Sequence, residues 1–277
     1  MPEPLGPRHT DIATLRRLVG RRSARRDEGR FVVEGPVLVA ELCASDLRVD
    51  RVYLSVDAEV PDGVPAHLVQ PVRAGVLERA LDTVTSRGVA AIARIPDASP
   101  SDRLARATAE GRPVLVAVEI ADPGNLGTII RAAEASGCAA VLVTDRTVDA
   151  WSPKVVRSAA GACFRLPVVA GGTPAEAVDL CDAAGLDTVA LVARNGTALD
   201  LVDLSGSVAL VLGNEAHGLP DEVVAACRAR GSIEMEGPTE SLNVAMAATI
   251  ACFEALRQRR AATPVAGRPD AGPEGDN

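Results

Sequence analysis

The sequence predicts an α/β protein: a larger C-terminal unit on a mostly parallel sheet, preceded by a smaller α/β unit. Three observations carry this. Apolar residues make up 47% of the chain but aromatics only 2%. The core is therefore built from Val, Leu, Ile and Ala, which suits helices on a sheet better than a sandwich anchored on aromatic rings. From residue 113 onward, continuous apolar runs of strand length alternate with helical patterns, the signature of parallel strands covered on both faces. Clusters of glycine, amide and charge follow directly on several of these runs, where open α/β sheets bind ligands.

Residues 1–30 read as a basic segment. Between Arg8 and Arg30 eight arginines face three acids, in a chain of net charge −8. A helix is expected over 11–19 and an Arg-rich turn over 20–26, with Arg21, Arg22, Arg25 and Arg26 as candidate phosphate contacts. Phe31-Val32-Val33-Glu34-Gly35 reads as a strand ending in glycine. Pro36 then opens a helix to residue 47, at a position where its missing N–H costs nothing. Short strands over 51–56 and 66–69, a helix over 72–81 and an apolar strand over 88–95 complete a substrate-binding unit spanning 31–96. The turn-rich run Pro96-Asp97-Ala98-Ser99-Pro100-Ser101 marks 97–112 as a linker.

Beyond it, strands are expected over 114–120, 139–144, 166–170, 188–193 and 208–212. Helices are expected over 126–136, 152–160, 173–185 and 221–229, with a final helix reaching about residue 260. Residues 263–277, rich in Pro, Gly, Ala and acids, have the composition of a disordered tail. The six cysteines are scattered without a CxxC pair, so they read as small buried hydrophobes in a reducing compartment, with no metal site. No apolar run approaches the ~18 residues of a membrane span, and a cytoplasmic protein without membrane contact is expected.

Four segments carry chemistry. In Asp122-Pro123-Gly124-Asn125-Leu126-Gly127-Thr128-Ile129-Ile130-Arg131, Asp122-Pro123 sets a turn and Gly127 permits close approach at a helix start. Asn125 and Arg131 can both reach the N-terminal end of that helix. In Leu210-Val211-Leu212-Gly213-Asn214-Glu215-Ala216-His217-Gly218-Leu219, a buried strand ends in glycine, amide and acid. This is neither GxGxxG nor a P-loop, which argues against a nucleotide-dependent dehydrogenase. In the stretch 232–247, Ile233 and Met235 alternate with acids into Gly237-Pro238. Thr239 or Ser241 is then expected to cap a helix carrying Leu242, Val244, Ala247, Ile250 and Phe253 on one side. Unpaired backbone groups there, beside Ser241 and Asn243, suit a small polar cofactor. Finally, the run 151–162 puts Lys154, Arg157 and Ser158 on about one helical turn, a cationic edge suited to phosphate.

Taken together and in this order, these segments resemble the SpoU/TrmH family of RNA 2′-O-ribose methyltransferases, within the SPOUT superfamily. The resemblance rests on 122–131, 210–219 and 233–245, with support from 152–162 and from Phe31-Val32-Val33-Glu34-Gly35. It implies a trefoil-knotted methyltransferase domain over 113–262 behind a ribosomal-protein-like RNA-binding domain. It also implies S-adenosylmethionine as cofactor and a homodimer whose active site is composed at the subunit interface. By position, Leu212, Gly213, Asn214, Ile233, Met235 and Leu242 would hold the cofactor. Arg131 would act at the ribose 2′-OH, with Asn125, Glu215, Ser241 and Asn243 shaping the site. A guanidinium keeps its proton, so Arg131 is expected to clamp phosphate and orient the hydroxyl. One departure is Glu234, which stands where the family usually has proline and places a charge near the cofactor cavity. The function implied is methylation of a ribose 2′-OH in structured RNA, with 23S ribosomal RNA favoured because a separate recognition unit suits a folded rRNA element. A tRNA target, or a non-catalytic RNA-binding or ribosome-assembly protein on the same fold, are the alternatives.

Overall fold

Two sheets organise the chain, seen in a computed structural model that describes residues 3–81 and 87–262; the tail expected over 263–277 lies outside the described residues. The first sheet comprises β1 (Arg30–Glu34), β2 (Val49–Ser55), β3 (Val69–Val72) and β4 (Val89–Arg94), in the order β1-β4-β2-β3. β4 runs antiparallel to both β1 and β2, and β2 pairs with β3 in parallel. Helices α1 (Thr10–Gly20) and α2 (Arg22–Glu28) lie against it, while α3 (Pro36–Ala44) and α4 (Val76–Leu81) complete the unit. Ile12, Leu15 and Leu18 recur at helical spacing, so α1 buries an apolar stripe against Val32, Tyr53 and Ile92.

The first thirty residues are therefore not a separate basic segment. The expected Arg-rich turn is the helix α2, closed by Gly29 at φ 59°. The strand expected over 66–69 is a short 3-10 turn, Ala66–Leu68, leading into β3. The expected linker 97–112 holds α5 (Pro100–Ala109), whose Leu104 and Ala107 are buried in the core of the second sheet. Its Ser-Pro punctuation is a helix start: Ser99 Oγ accepts from the Asp102 N–H and Pro100 occupies the first turn.

The second sheet has seven strands among the described residues, every pairing parallel. They are β5 (Val114–Ala117), β6 (Ala140–Val143), β7 (Val168–Ala170), β8 (Asp187–Leu191), β9 (Thr197–Ala198), β10 (Val208–Leu212) and β11 (Ala229–Ser232). The order is β7-β6-β5-β10-β8-β11-β9. Helices α6 (Pro123–Ala135), α7 (Pro153–Ser158), α8 (Pro174–Ala183), α9 (Asp221–Ala226) and α10 (Val244–Ala262) complete the unit. β9 and β11 were not expected from sequence. β5 and β10 are neighbours, with Ala117 opposite Leu212. The strand order reverses there, so two motif loops leave adjacent carboxyl ends at the position where such sheets bind ligands.

The two units share one continuous core. Phe31 of β1 packs on Trp151 at 4.7 Å between ring centroids and on Phe164 at 6.4 Å. Three of the five aromatic residues thus sit at this joint (three Phe, one Trp and one Tyr in all). Ion pairs cross it as well: Arg25 with Asp149, and Arg157 Nη1 with Glu34 Oε2 at 2.7 Å. Arg165 bridges Glu41 of α3 and Glu134 of α6.

Candidate active site

The site is built where the loops after β5 and β10 meet the N-terminus of α10. Asp122 caps α6 by accepting from the Asn125 N–H at 2.9 Å, with Pro123 in the first turn. Gly127 is required on that helix, because a Cβ there would lie 2.3 Å from Ser158 Cβ, and α6 packs tightly on α7 through it. After β10 the chain folds back on itself. Asn214 and Gly218 exchange both backbone hydrogen bonds, and a Cβ at Gly213 would lie 2.2 Å from the Gly218 carbonyl carbon.

This turn aims Glu215 back at the first loop. Its carboxylate accepts from the N–H groups of Ala121 and Asp122, each at 3.0 Å, and from Asn125 Nδ2 at 2.9 Å. Partial burial works against the charge, but these donors outweigh it and hold the carboxyl below its ordinary pKa. Asn125 Oδ1 in turn accepts from Asn243 Nδ2 at 3.0 Å. Asn243 Oδ1 accepts from the Ala245 and Met246 N–H groups at 2.9 and 3.3 Å, so Asn243 caps α10, not Thr239 or Ser241. A single hydrogen-bonded line, Glu215–Asn125–Asn243, therefore joins all three motif loops.

Arg131 lies on the exposed side of α6 with Thr128 one turn before it, and its guanidinium has no partner among the described residues. Ser241 is exposed beside Asn243. Asn214 is committed to structure: its Nδ2 donates to the Glu119 carbonyl at 2.8 Å and its Oδ1 accepts from Ala216 N–H at 2.9 Å. It thereby steadies Glu119, a non-glycine residue at φ 51°. His217 is exposed on the same turn.

A cavity of about 400 Å³ opens next to the third loop, lined by Arg194, Ile233, Glu234, Met235, Thr239 and Glu240 among others. Of the residues expected to hold a cofactor, Ile233 and Met235 line it; Leu212, Gly213, Asn214 and Leu242 lie outside its lining. Sequence reasoning missed Arg194. The signal was present in Ala193-Arg194-Asn195-Gly196, a charged, amide- and glycine-bearing run directly after a strand.

The expected phosphate contacts divide. Arg25 is 5% exposed; it donates to the Leu18 and Val19 carbonyls and, through Nε at 2.6 Å, to Asp149. No face of that guanidinium is left for phosphate. Arg157 is held by the buried Glu34, and Arg22 donates to the Thr147 carbonyl at 3.1 Å. Arg21, Arg26 and Lys154 are exposed without a side-chain partner among the described residues. Among those residues no group of His, Cys, Asp or Glu could hold a metal ion, and no helix is long and apolar enough to cross a membrane.

Residues 112–253 match the model of the SpoU rRNA Methylase family. The chain is 32% identical over 233 residues to the 23S rRNA (guanosine(2553)-2'-O)-methyltransferase RlmP of Bacillus subtilis, covering 83% of this chain and 89% of that one. It is similar in structure to the SpoU methyltransferase AviRb of Streptomyces viridochromogenes, with a TM-score of 0.81 and 26% identity over 91% of this chain and 98% of that one. It is also similar to an AdoMet-bound rRNA methyltransferase of Sinorhizobium meliloti, with a TM-score of 0.78 and 26% identity over 92% and 95%.

Proposed function

The chain belongs to the SpoU rRNA methylase family, and on that premise we propose that it methylates a ribose 2′-OH of 23S ribosomal RNA in the cytoplasm, using S-adenosylmethionine. The observation that carries this reading is the Glu215–Asn125–Asn243 line. It ties three loops together at the N-terminal end of α6, the helix that also carries Arg131, whose guanidinium has no partner among the described residues; a merely structural scaffold does not need that arrangement. The 23S target follows the Bacillus subtilis relative, which covers most of this chain.

The residues present fit the cofactor. A cavity of about 400 Å³ is within the range of small-molecule sites, and Arg194, Glu234 and Glu240 on its lining complement a ligand carrying both charges. When bound, S-adenosylmethionine supplies a methyl group already activated on sulfonium. The protein's part is alignment and proton management. Arg131 grips the phosphate beside the target ribose and turns its 2′-OH toward the methyl; it does not take the proton, which leaves late to water. Glu215 accepts from three donors that hold its carboxyl below the ordinary pKa, so it anchors Asn125 and does not act as base.

Arg21, Arg26 and Lys154 supply the phosphate contacts that steer RNA to the site. The limb from Ser232 to Asn243 is the threaded segment of a trefoil knot. Met246, Ile250 and Phe253 form an exposed apolar stripe on α10, between 41% and 62% exposed, and this stripe pairs with a second copy to make a homodimer. The test is transfer of labelled methyl to 23S rRNA by the purified protein and by Arg131→Ala. Transfer by the wild type that the variant lacks supports the reading. Tight RNA binding without transfer to any RNA would instead identify a non-catalytic RNA-binding protein.

A further inference from the structure

We infer that Arg194 and Glu240 form a clamp for the amino-acid end of the cofactor, a refinement that rests on the methyltransferase reading. The two residues meet across the third-loop cavity at 3.0 Å, and among the described residues Arg194 is the one cation on its lining. Their side chains are 65% and 82% exposed. A pair so open to water is weakly held, so each partner is free to exchange the other for a ligand group at little cost. The α-carboxylate and α-ammonium of an amino acid are the complementary pair. Arg194 grips the carboxylate through its planar fork, and Glu240, released from Arg194, faces the ammonium.

The backbone beneath Arg194 is built to hold this position. Val192 N–H donates to the Gly231 carbonyl at 2.9 Å, and Ser232 Oγ donates to the Gly196 carbonyl at 3.1 Å. Asn195 takes a left-handed φ of 60°, and a Cβ at Gly196 would lie 2.8 Å from the Gly231 carbonyl carbon. The loop carrying Arg194 is thus pinned to β11, the strand from which the Ile233–Glu240 limb departs. Both halves of the clamp hang from one strand end.

Calorimetric titration of wild type, Arg194→Gln and Glu240→Gln with two probes tests this. S-adenosylhomocysteine carries the amino-acid tail without the sulfonium, and 5′-methylthioadenosine lacks the tail. The clamp predicts that each variant weakens S-adenosylhomocysteine about tenfold or more, the worth of a charge-assisted hydrogen bond. Both variants should leave 5′-methylthioadenosine within about twofold of wild type. Equal weakening of both probes, or of neither, overturns the clamp while the cofactor reading stands. Failure of wild type to bind either probe removes the cofactor reading, and the clamp with it.

Discussion

Replacing Glu215 by alanine removes the acceptor on which the site converges. Two backbone N–H groups and the Asn125 amide, at 2.9–3.0 Å, lose their carboxylate together. Hydrogen bonds to a charged group are worth about 1.5–3 kcal/mol each when buried. Glu215 is exposed, so water replaces much of this and a total near 2 kcal/mol is expected. In a chain of this size that is a fall in Tm of about 4–8 °C by scanning calorimetry. Turnover should fall further than stability. Freed from Glu215, Asn125 no longer holds Asn243 in register, and misplacement on the order of 1 Å near the reacting atoms costs about 100-fold in rate. Glu215→Gln keeps one acceptor but turns an NH2 toward a backbone donor, and should fall between wild type and alanine. Because the Glu215 pKa is lowered on folding, its contribution is present above the ordinary carboxylate range near pH ~4 and is lost as pH falls through the lowered value. Wild type should therefore lose its stability advantage over Glu215→Gln on acidification below about pH 4. Tm within about 1 °C of wild type and turnover within about twofold for Glu215→Ala would refute the reasoning.

Other expectations are simpler to read. Gly213→Ala drives a Cβ to 2.2 Å from backbone, so a loss of at least 1–3 kcal/mol, read as reduced soluble yield and Tm, is expected (roughly). Arg25→Met leaves the partly buried Asp149 without its ion-pair partner and the Leu18 and Val19 carbonyls without that donor, and should cost on the order of 3 kcal/mol. Since Trp151 is the one tryptophan and packs at the same joint, its emission should shift to the red as the joint loosens. Arg131→Lys keeps charge but loses the planar fork, so turnover should fall at every pH without change in Tm; near-full turnover across pH would dismiss both roles given to Arg131. RNA affinity should fall steeply with salt, and the combined Arg21, Arg26 and Lys154 to Gln variant should flatten that slope by up to about three phosphate contacts.

What could be read from the sequence was local. Asp122-Pro123, Gly213-Asn214 and Gly237-Pro238 punctuate the ends of apolar runs, so the three loops are legible in the sequence alone. Pairing partners far along the chain were not legible. β11 is only Ala229–Ser232, polar and short, and it exists because β8 and β9 hold it on either side. The arginine cluster was visible, but the partner of Arg25 lies 124 residues away, so no local pattern separated a buried strut from a phosphate contact. At the start of α10 several side chains compete as caps within five residues. Asn243 wins because its amide also reaches Asn125, a tertiary contact.

The reaction proposed for this chain is tested most directly by where the methyl group goes. Mapping 2′-O-methylation along 23S rRNA, with tRNA alongside, in cells with and without the gene answers that directly. One ribose should be methylated only when the gene is present, restored by the wild-type chain and not by Arg131→Ala. Identical maps in the two strains, or a lost methyl found on tRNA instead, would contradict it.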